Sequence, residues 1–272
     1  MAKTLGIATA LILAIWGFLP GSAALQKEDY ELQELCKDGG DASLTHGSSR
    51  KVPEDTEFVF ARVQFTSHGP GRGHYRRPTG CGPLEGWAHD YPAAEHNILQ
   101  IAREATGINL NKDSYIMVRL DSDEIFRYPW GLMSEVGEMT LTPKEITNMR
   151  EYLNRGGFLV ADDFDGPSME WLQEQMNQVF PGRTFVPLTV DHPIFHTFYD
   201  IKTLEMDPPY PQRGVPTFYG YFDDHGRICM IADHNNDIGD FWEWIDETRY
   251  PLAASIAGLQ LGINYFMYSL TH

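Results

Sequence analysis

Three aspartates follow one apolar segment in the middle of the chain, and they are the residues best suited to chemistry. Asp162, Asp163 and Asp165 come directly after Phe158–Ala161, in the sequence ADDFDG. Carboxylates grouped this closely can bind a hard divalent cation, and one of them can act as a base or a nucleophile when its surroundings tune its pKa. The sequence therefore predicts a ligand or metal site here. Calcium or magnesium is favoured because oxygen ligands outnumber nitrogen ligands and no thiolate is available.

Other polar residues follow predicted strands and could reach the same edge of a sheet. The carboxyl ends of parallel strands open on one edge, where ligands bind in open α/β folds. His192 or His196 is the candidate partner of Asp162 or Asp163, and both histidines could serve as metal ligands. We expect the segment Asp191–His196 to cover this edge. Further strand-end candidates are Asp121, Asp123, Asp233 and His234. The ligand-binding candidates are Asp90, Tyr91, Arg127, Tyr128, Asp165, His196, Asn236, Asp237 and Asp240.

A purely structural role for these residues stays open. Short polar side chains are common at strand ends because they cap helices and stabilise turns. The HExxH and EF-hand patterns are absent from the sequence, as are a GxSxG nucleophile, a Walker loop and a dinucleotide-binding fingerprint. Cys229 lies within an apolar segment, which predicts a buried thiol, and Cys36 could pair with Cys81 in an exported chain.

The segment Thr142–Phe180 must position the three aspartates. Thr142 and Glu145 form a capping-box pattern that begins a helix, and the glycine pair at 156–157 should end it. A buried strand and a second helix, from about Ser168, follow. The whole segment therefore predicts a helix, a strand and a helix, with the aspartates at the carboxyl end of the strand.

Strands alternate with helices through the first two thirds of the chain, which predicts an α/β sheet with parallel strands. Phe158–Ala161 is apolar on both faces, so we expect a central strand flanked by Tyr115–Leu120 and Phe58–Phe65. Thr184–Val190 is predicted as a strand, and Asp223–Gly226 as the turn of a hairpin. A C-terminal helix from about Pro251 should bury a helical stripe formed by Leu252, Ile256, Leu259, Ile263, Met267 and Leu270.

The N-terminus has the three-part pattern of a secretory signal. The apolar run Leu5–Leu19 follows Lys3 and is shorter than the ~20 residues that span a bilayer. We therefore predict a signal peptide at residues 1–24, a polar segment at 25–57 and a single domain at 58–272, in a periplasmic or secreted protein with no stable membrane insertion after cleavage. An uncleaved anchor is the alternative. The net charge of −17 excludes nucleic acid as a partner bound by bulk electrostatics.

Several blocks of the sequence resemble a bacterial family of domains of unknown function, family 4159. The blocks are FVFARVQF, WAHDYP, IFRYPW, YLNRGGFLVADDFDG, DHPIFH, NNDIGDFWEW and LGINYFMYSLTH. Members often lie at the C-terminus of membrane-anchored, von Willebrand-type proteins. The resemblance implies a flavodoxin-like fold of the class I glutamine amidotransferase type, close to its trehalose-utilisation branch, with helices on both faces of the sheet. The amidotransferase elbow carries a cysteine nucleophile, whereas this elbow reads Asp162-Asp163-Phe164-Asp165.

Two classes of function follow from these observations. The first is an exported module without amidotransferase activity that binds a small ligand or an envelope protein. The second is a hydrolase that uses Asp162 or Asp163 as base, nucleophile or metal ligand. Buried carboxylates with raised pKa values would favour the enzyme, and fully solvated carboxylates would favour the binding module.

Overall fold

The computed structural model describes residues 56–67, 78–79, 82–83, 86–247 and 249–272. These residues form the strands β1 (Phe60–Gln64), β2 (Pro78–Thr79), β3 (Gly82–Pro83), β4 (Tyr115–Arg119), β5 (Trp130–Ser134), β6 (Phe158–Phe164), β7 (Val186–Pro187), β8 (Thr217–Phe222) and β9 (Ile228–His234). The helices are α1 (Ala93–Ala105), α2 (Pro143–Asn154), α3 (Ser168–Val179), α4 (Ile238–Glu243) and α5 (Leu252–Thr271). Short 3-10 helices lie at Gly86–Ala88, Asp123–Arg127, Val136–Glu138 and Pro193–His196.

Seven strands form one mixed sheet in the order β4-β1-β5-β6-β9-β8-β7. The first five are parallel, and β8 and β7 add an antiparallel extension beyond β9. Numbered along the chain, the five parallel strands have the order 2-1-3-4-5, which is the flavodoxin-like order. The predicted α/β class is confirmed.

Helices cover both faces of this sheet, because each central strand is apolar on both sides. On one face, Phe158 and Val160 of β6 pack with residues of α1, α4 and α5. On the other face, Leu159 and Ala161 pack with residues of α2 and α3. The core is therefore divided into two layers, and the carboxyl ends of the parallel strands open between them.

The prediction that Phe158–Ala161 is a central parallel strand is confirmed, but the predicted neighbours are wrong. The strand lies between β5 and β9, and β1 pairs with β4 and β5 instead. Sequence analysis missed β5 because Gly131 weakens the strand pattern. Packing requires this glycine, since a Cβ at position 131 would lie 2.7 Å from Val63 Cγ2 and 3.0 Å from Leu159 Cδ2.

The local signals around α2 and the hairpin are confirmed. Thr142 and Glu145 form the capping box of α2, and Gly156 adopts a positive φ of 99° just after the helix. Gly226, with a φ of 79°, lies in the turn between β8 and β9. Cys229 is a buried free thiol. The predicted strand at Thr184–Val190 is reduced to the two residues of β7.

Helix α5 begins where the sequence predicts it, and the predicted buried stripe is confirmed in part. Ile263 is buried, and Leu259 and Met267 pack partly buried against the core. Leu252, Ile256 and Leu270 are instead exposed, with relative exposures of 72%, 44% and 39%. The buried face also carries Ala254, Gly258, Leu261, Gly262, Tyr265, Phe266 and Tyr268. Small and aromatic residues occupy it because Gly258 and Gly262 let Phe241 and Trp242 approach the helix closely.

Within the part of the chain that the structure describes, no helix is both long enough and apolar enough to cross a bilayer. The predicted signal peptide, residues 25–55 of the polar segment at 25–57, and the Cys36–Cys81 pair lie outside the described residues.

Candidate functional site

Five parallel strands end at one edge of the sheet, here called the carboxyl edge, and a residue with a left-handed backbone lies at the end of four of them or in the loop that follows. The φ angles are 64° at Asp90, 54° at Glu135, 55° at Asp163 and 57° at Asn235. Asp90 lies in the loop after β1, Glu135 follows β5, Asp163 lies at the end of β6, and Asn235 follows β9. Left-handed conformations of residues other than glycine cost on the order of 1 kcal/mol or more and concentrate at functional sites.

Asp163 lies at the centre of this edge and has a partner for each carboxylate oxygen. Its Oδ2 is 2.6 Å from His89 Nδ1, and its Oδ1 accepts a hydrogen bond of 2.5 Å from the Tyr210 hydroxyl. Burial alone would raise the pKa of Asp163, but the His89 charge and these hydrogen bonds outweigh it and lower the pKa. Asp163 is therefore an ionised, fully bonded carboxylate.

Asp162 serves a different purpose, because it fixes the start of α4. Its two oxygens accept hydrogen bonds from Ile238 N at 3.1 Å and Gly239 N at 2.8 Å. Burial raises the pKa of Asp162 to about 7, although the two backbone donors oppose the shift. Adjacent aspartates on β6 thus connect different segments to the carboxyl edge, because Asp162 binds the start of α4 and Asp163 contacts His89 and Tyr210.

The loop carrying His89 and Asp90 is anchored by a buried arginine of β1. Arg62 Nε donates to Glu95 Oε1 of α1 at 2.7 Å, and its Nη1 donates to the backbone carbonyl of His89 at 2.7 Å. Both side chains of this ion pair are fully buried. A buried pair of this kind is sensitive to the loss of either partner, so the loop geometry depends on Arg62.

Among the described residues, Asp90 is one of the buried carboxylates with an oxygen that lacks a hydrogen-bond partner. The residue is 6% exposed, and among the described residues its Oδ1 has no hydrogen-bond donor. The nearest cationic atom is His89 Nδ1, at 3.4 Å from that oxygen. Burial raises the pKa of Asp90 well above its usual value, the His89 charge opposes the shift, and Glu243 and Asp240 add to it.

Helix α4 supplies three more acidic side chains, at positions 237, 240 and 243. Asp237 is the N-cap, and its Oδ1 accepts a hydrogen bond of 2.9 Å from Asp240 N. Asp240 Oδ2 accepts a bond of 2.8 Å from the Tyr250 hydroxyl, and Asp240 shares a side-chain hydrogen bond with Glu243. Asp237 Oδ2 accepts a second bond from Tyr210, at 3.1 Å.

We call these side chains the rim cluster: His89, Asp90, Asp163, Asp237, Asp240 and Glu243. Ligand atoms of His89, Asp90 and Asp237 all lie within 4.8 Å of one another, as do those of Asp90, Asp240 and Glu243. Burial and neighbouring carboxylates raise the pKa of Asp237 well above its usual value. Burial alone would lower the pKa of His89, but Asp90 and Asp163 outweigh it and raise that pKa well above 6.5.

Sequence reasoning found part of this cluster. Of the predicted candidates, Asp90, Asp163, Asp237 and Asp240 belong to it, and Asp162 holds α4 against it. Asn236 is fully buried beside it, and its Nδ2 donates to Met206 Sδ. Tyr91 instead packs edge-on against Tyr115, with ring centroids 5.7 Å apart.

The other strand-end candidates have local partners outside the cluster. Asp165, the third predicted metal ligand, accepts a hydrogen bond from Arg213 N and lies 3.7 Å from Arg213 Nε. Asp233 accepts a hydrogen bond from the Tyr265 hydroxyl, and His234 Nε2 lies 2.9 Å from the Gly166 carbonyl. Asp121 pairs with Arg119, and Asp123 pairs with Lys144.

The expectation that Asp191–His196 covers the carboxyl edge is wrong. His192 packs against the Tyr268 ring, and the Tyr268 hydroxyl accepts a bond from Ile228 N at the amino end of β9. Helix α3 causes this placement, because it carries the chain from the carboxyl end of β6 back to the amino ends of the strands. His196 pairs with Asp200 there, at the surface.

Arg127 and Tyr128 also lie at the opposite end from the predicted site. Both precede β5, whose first residue is Trp130, so they are at the amino end of that strand. Arg127 is exposed and stands 5.9 Å from the Tyr128 ring centroid. Arg127 is therefore not the basic partner of the aspartates that follow β6.

Several members of the site were not predicted. His89, Glu135, Glu243, Tyr210 and Tyr250 were missed, as was the anchoring Arg62. His89 directly precedes a predicted candidate, and Glu243 continues a spacing of three from Asp237 and Asp240, so both carried a detectable signal. Tyr210 carried none, because it reaches Asp163 from an irregular segment 47 residues away in sequence.

The fold and the rim cluster define the class of protein: a flavodoxin-like α/β domain with a buried acidic site at the carboxyl edge of its sheet. The family model described as "Domain of unknown function (DUF4159)" matches residues 78–270, and the protein belongs to this family. None of the curated proteins compared with the chain matches it.

Proposed function

We propose that this protein binds a divalent cation in the rim cluster, with His89, Asp90 and Asp237 as its protein ligands. One observation carries the proposal: the buried Oδ1 of Asp90 faces the cluster without a hydrogen-bond donor among the described residues. A buried acceptor that lacks a donor costs about 1–3 kcal/mol, and more when it is charged. A cation within reach of this oxygen would remove that cost.

Electrostatics supports the same proposal. Two like charges 4 Å apart repel by about 4 kcal/mol at an effective dielectric constant of 20. Asp90 and Asp237 lie at such separations, and within the described ranges no arginine or lysine forms an ion pair with either. Protons and the His89 charge relieve the repulsion when no metal is bound, and a divalent cation would do so with more charge.

The contact between His89 and Asp163 fits a metal site. A histidine that binds a metal through one ring nitrogen usually directs the other at a carboxylate, which fixes the orientation of the ring. Asp163, ionised and 2.6 Å from Nδ1, supplies that carboxylate. Asp163 and Tyr210 are then positioning residues, and the metal ligands are the neighbouring groups.

The donor set selects a hard cation. Carboxylate oxygens dominate it, one imidazole is present, and the thiol of Cys229 is buried within β9. Such sets suit magnesium, calcium or manganese better than soft metals. Calcium or magnesium, the ions expected from the sequence, remain the physiological candidates, and manganese is a convenient spectroscopic probe.

Isothermal titration calorimetry of chelator-treated protein with magnesium, calcium, manganese and zinc chlorides tests the proposal. We expect binding of at least one hard cation, and at least about 100-fold weaker binding in Asp90→Asn. Asp163→Asn should weaken binding by about 10- to 100-fold through the histidine. Asp121→Asn, an acidic residue after β4 that pairs with Arg119, is the matched control and should bind as the wild type does. An absence of binding heat and of any melting shift would refute the proposal.

Cation-assisted hydrolysis is a second candidate function, favoured by the burial of the rim cluster and its raised carboxylate pKa values. A cation held by His89, Asp90 and Asp237 would lower the pKa of a coordinated water and so favour its ionisation to a nucleophile. The net charge of −17 and the acidic site disfavour anionic substrates, so a neutral ester or amide is the expected class. We expect manganese-dependent cleavage of p-nitrophenyl acetate, lost in Asp90→Asn, and little cleavage of bis-p-nitrophenyl phosphate. Equal rates for the wild type and this variant would remove the candidate.

Two broader expectations also stand as proposals. Export with cleavage after Ala23 or Ala24 predicts that protein from the envelope or medium begins near Ala24 or Leu25, and an intact Met1 in the membrane fraction would contradict it. An amidotransferase-like ancestry is supported by Asp163, whose left-handed backbone at the end of the central strand corresponds to an elbow without its cysteine. Binding of a small ligand or an envelope protein at the carboxyl edge is compatible with export and with an amidotransferase-like ancestry.

A further inference from the structure

We propose that the rim cluster holds two divalent cations bridged by the carboxylate of Asp90. This inference rests on the proposed cation site and adds a second ion. The first ion takes His89, Asp90 and Asp237, and the second takes Asp90, Asp240 and Glu243. Asp90 is the residue common to the two groups of ligand atoms, and each group fits within 4.8 Å.

The two oxygens of Asp90 face different neighbours, as a bridging carboxylate requires. Oδ1 lies 3.4 Å from His89 Nδ1 and has no hydrogen-bond donor among the described residues, so it is available to the first ion. Oδ2 faces helix α4 across Gly239, where a Cβ would lie only 2.5 Å from it. Because residue 239 is glycine, the carboxylate of Asp90 can approach the helix that carries Asp240 and Glu243 directly.

Helix α4 presents its acidic residues along one side. Asp237, Asp240 and Glu243 are spaced by three residues, and residues three apart are neighbours on a helix surface. Asp237 belongs to the first ligand group, while Asp240 and Glu243 belong to the second. A row of carboxylates beside one shared aspartate matches two ions lying side by side.

The second ligand group is buried and already ordered. Asp240 and Glu243 are each 5% exposed, and the Tyr250 hydroxyl fixes one oxygen of Asp240. Ligand atoms of Asp90, Asp240 and Glu243 lie within 4.8 Å of one another. A cation between them would take all three carboxylates as ligands.

Two ions about 3.5–4 Å apart are the arrangement that activates a water and stabilises the developing charge in many hydrolases. Bridging by Asp90 would hold the two ions at such a spacing. Two bridged ions are the metal content expected for cation-assisted hydrolysis. Counting the bound ions tests their presence without any substrate.

The test is equilibrium dialysis of the purified, chelator-treated chain against manganese, with metal counted by atomic emission and examined by electron paramagnetic resonance. We expect two ions per chain and the spectrum of an exchange-coupled pair. Glu243→Gln should keep one ion and lose the coupling, Asp237→Asn should weaken the other ion, and Asp90→Asn should lose both. Asp121→Asn should keep two coupled ions. Circular dichroism establishes that each variant is folded.

The outcomes separate this inference from the proposed function. A single ion in the wild type that is lost in Asp90→Asn overturns the second ion and leaves the proposed function standing. An absence of any bound ion overturns both. Two ions without exchange coupling, or two ions retained in folded Glu243→Gln, would place the second ion elsewhere and overturn the bridge. The counts in the wild type hold even if a variant fails to fold.

Discussion

Two acidic regions follow parallel strands of the same sheet, and their surroundings differ completely. After β4, Asp121 pairs with Arg119 and Asp123 pairs with Lys144, and the Lys144–Asp123 pair is exposed. At the ends of β6 and β9, Asp90 and Asp237 of the rim cluster are buried, and among the described residues neither forms an ion pair with arginine or lysine. Residue type alone cannot distinguish the two regions, since both contain aspartates at strand ends.

The difference teaches that burial and the supply of counter-charges decide which acidic strand end can bind a cation. Opposite charges at hydrogen-bonding distance lower the pKa of Asp121, and solvent screens what remains. Burial raises the pKa of Asp90, and the neighbouring carboxylates add to the shift. A cation site is therefore favoured in the rim cluster and disfavoured in the region after β4.

The largest expected effect comes from removing the buried anchor of the rim cluster. Arg62→Met leaves the buried carboxylate of Glu95 without its ion-pair partner, so the free energy of unfolding should fall by about 3–5 kcal/mol. Urea denaturation followed by circular dichroism measures this. The double variant Arg62→Met with Glu95→Gln should recover part of the loss, and a single-variant loss below 1 kcal/mol would contradict the assigned role of Arg62.

Filling the space between α4 and Asp90 should give the next largest effect. A Cβ at position 239 would lie 2.5 Å from Asp90 Oδ2, so Gly239→Ala should destabilise the protein by about 1–3 kcal/mol despite the better helix propensity of alanine. In an Asp90→Ala background the same change should be neutral or stabilising. Gly107→Ala, where nothing lies within 4 Å, is the control. Equal effects of Gly239→Ala in both backgrounds would show that the clash does not involve Asp90.

A buried carboxylate beside the rim cluster should respond to pH in a defined direction. Burial, with the charge of Asp162, raises the pKa of Asp233 well above its usual value, although the Tyr265 hydroxyl opposes the shift. The folded state then holds a proton that the unfolded state releases, so stability falls as the pH rises above the unfolded pKa, by up to about 1.4 kcal/mol per pH unit. Asp233→Asn avoids this loss.

We therefore expect Asp233→Asn to match the wild type near pH 4 and to exceed it at pH 7 by up to about 4 kcal/mol, the loss per pH unit taken over three units. Urea denaturation with chelator present at both pH values checks this without interference from metal. A stability difference that is the same at pH 4 and pH 7 would assign the effect to altered hydrogen bonding with Tyr265 instead of ionisation.

The smallest effect is expected at the solvated acidic region after β4. Asp121 and Arg119 are each about one third exposed, and such pairs contribute about 0–1 kcal/mol. Asp121→Asn should therefore lower the melting temperature slightly at low salt and leave it unchanged in 1 M sodium chloride, where charges are screened. A loss above 2 kcal/mol that persists in salt would remove the contrast between the two acidic regions.

Part of the fold and of the site could be predicted because the signals are local. The capping box at Thr142 and Glu145 depends on four consecutive residues, and the apolar run Phe158–Ala161 marks a strand with two covered faces. Asp163 follows that strand directly, so its place at the carboxyl edge follows from the parallel sheet. Strand β5 was missed because its glycine is explained by Val63 and Leu159, which lie far away in sequence.

The amino-acid sequence by itself determined the α/β class, the central strand and the presence of acidic residues at its carboxyl end, because periodicity and capping act over a few residues. The tertiary structure alone decided which acidic residues share a buried space. Helix α3 takes His192 to the opposite end of the sheet, and the irregular segment before β8 brings Tyr210 to Asp163. Such pairings depend on where the chain returns after each crossover, and no local pattern records that path.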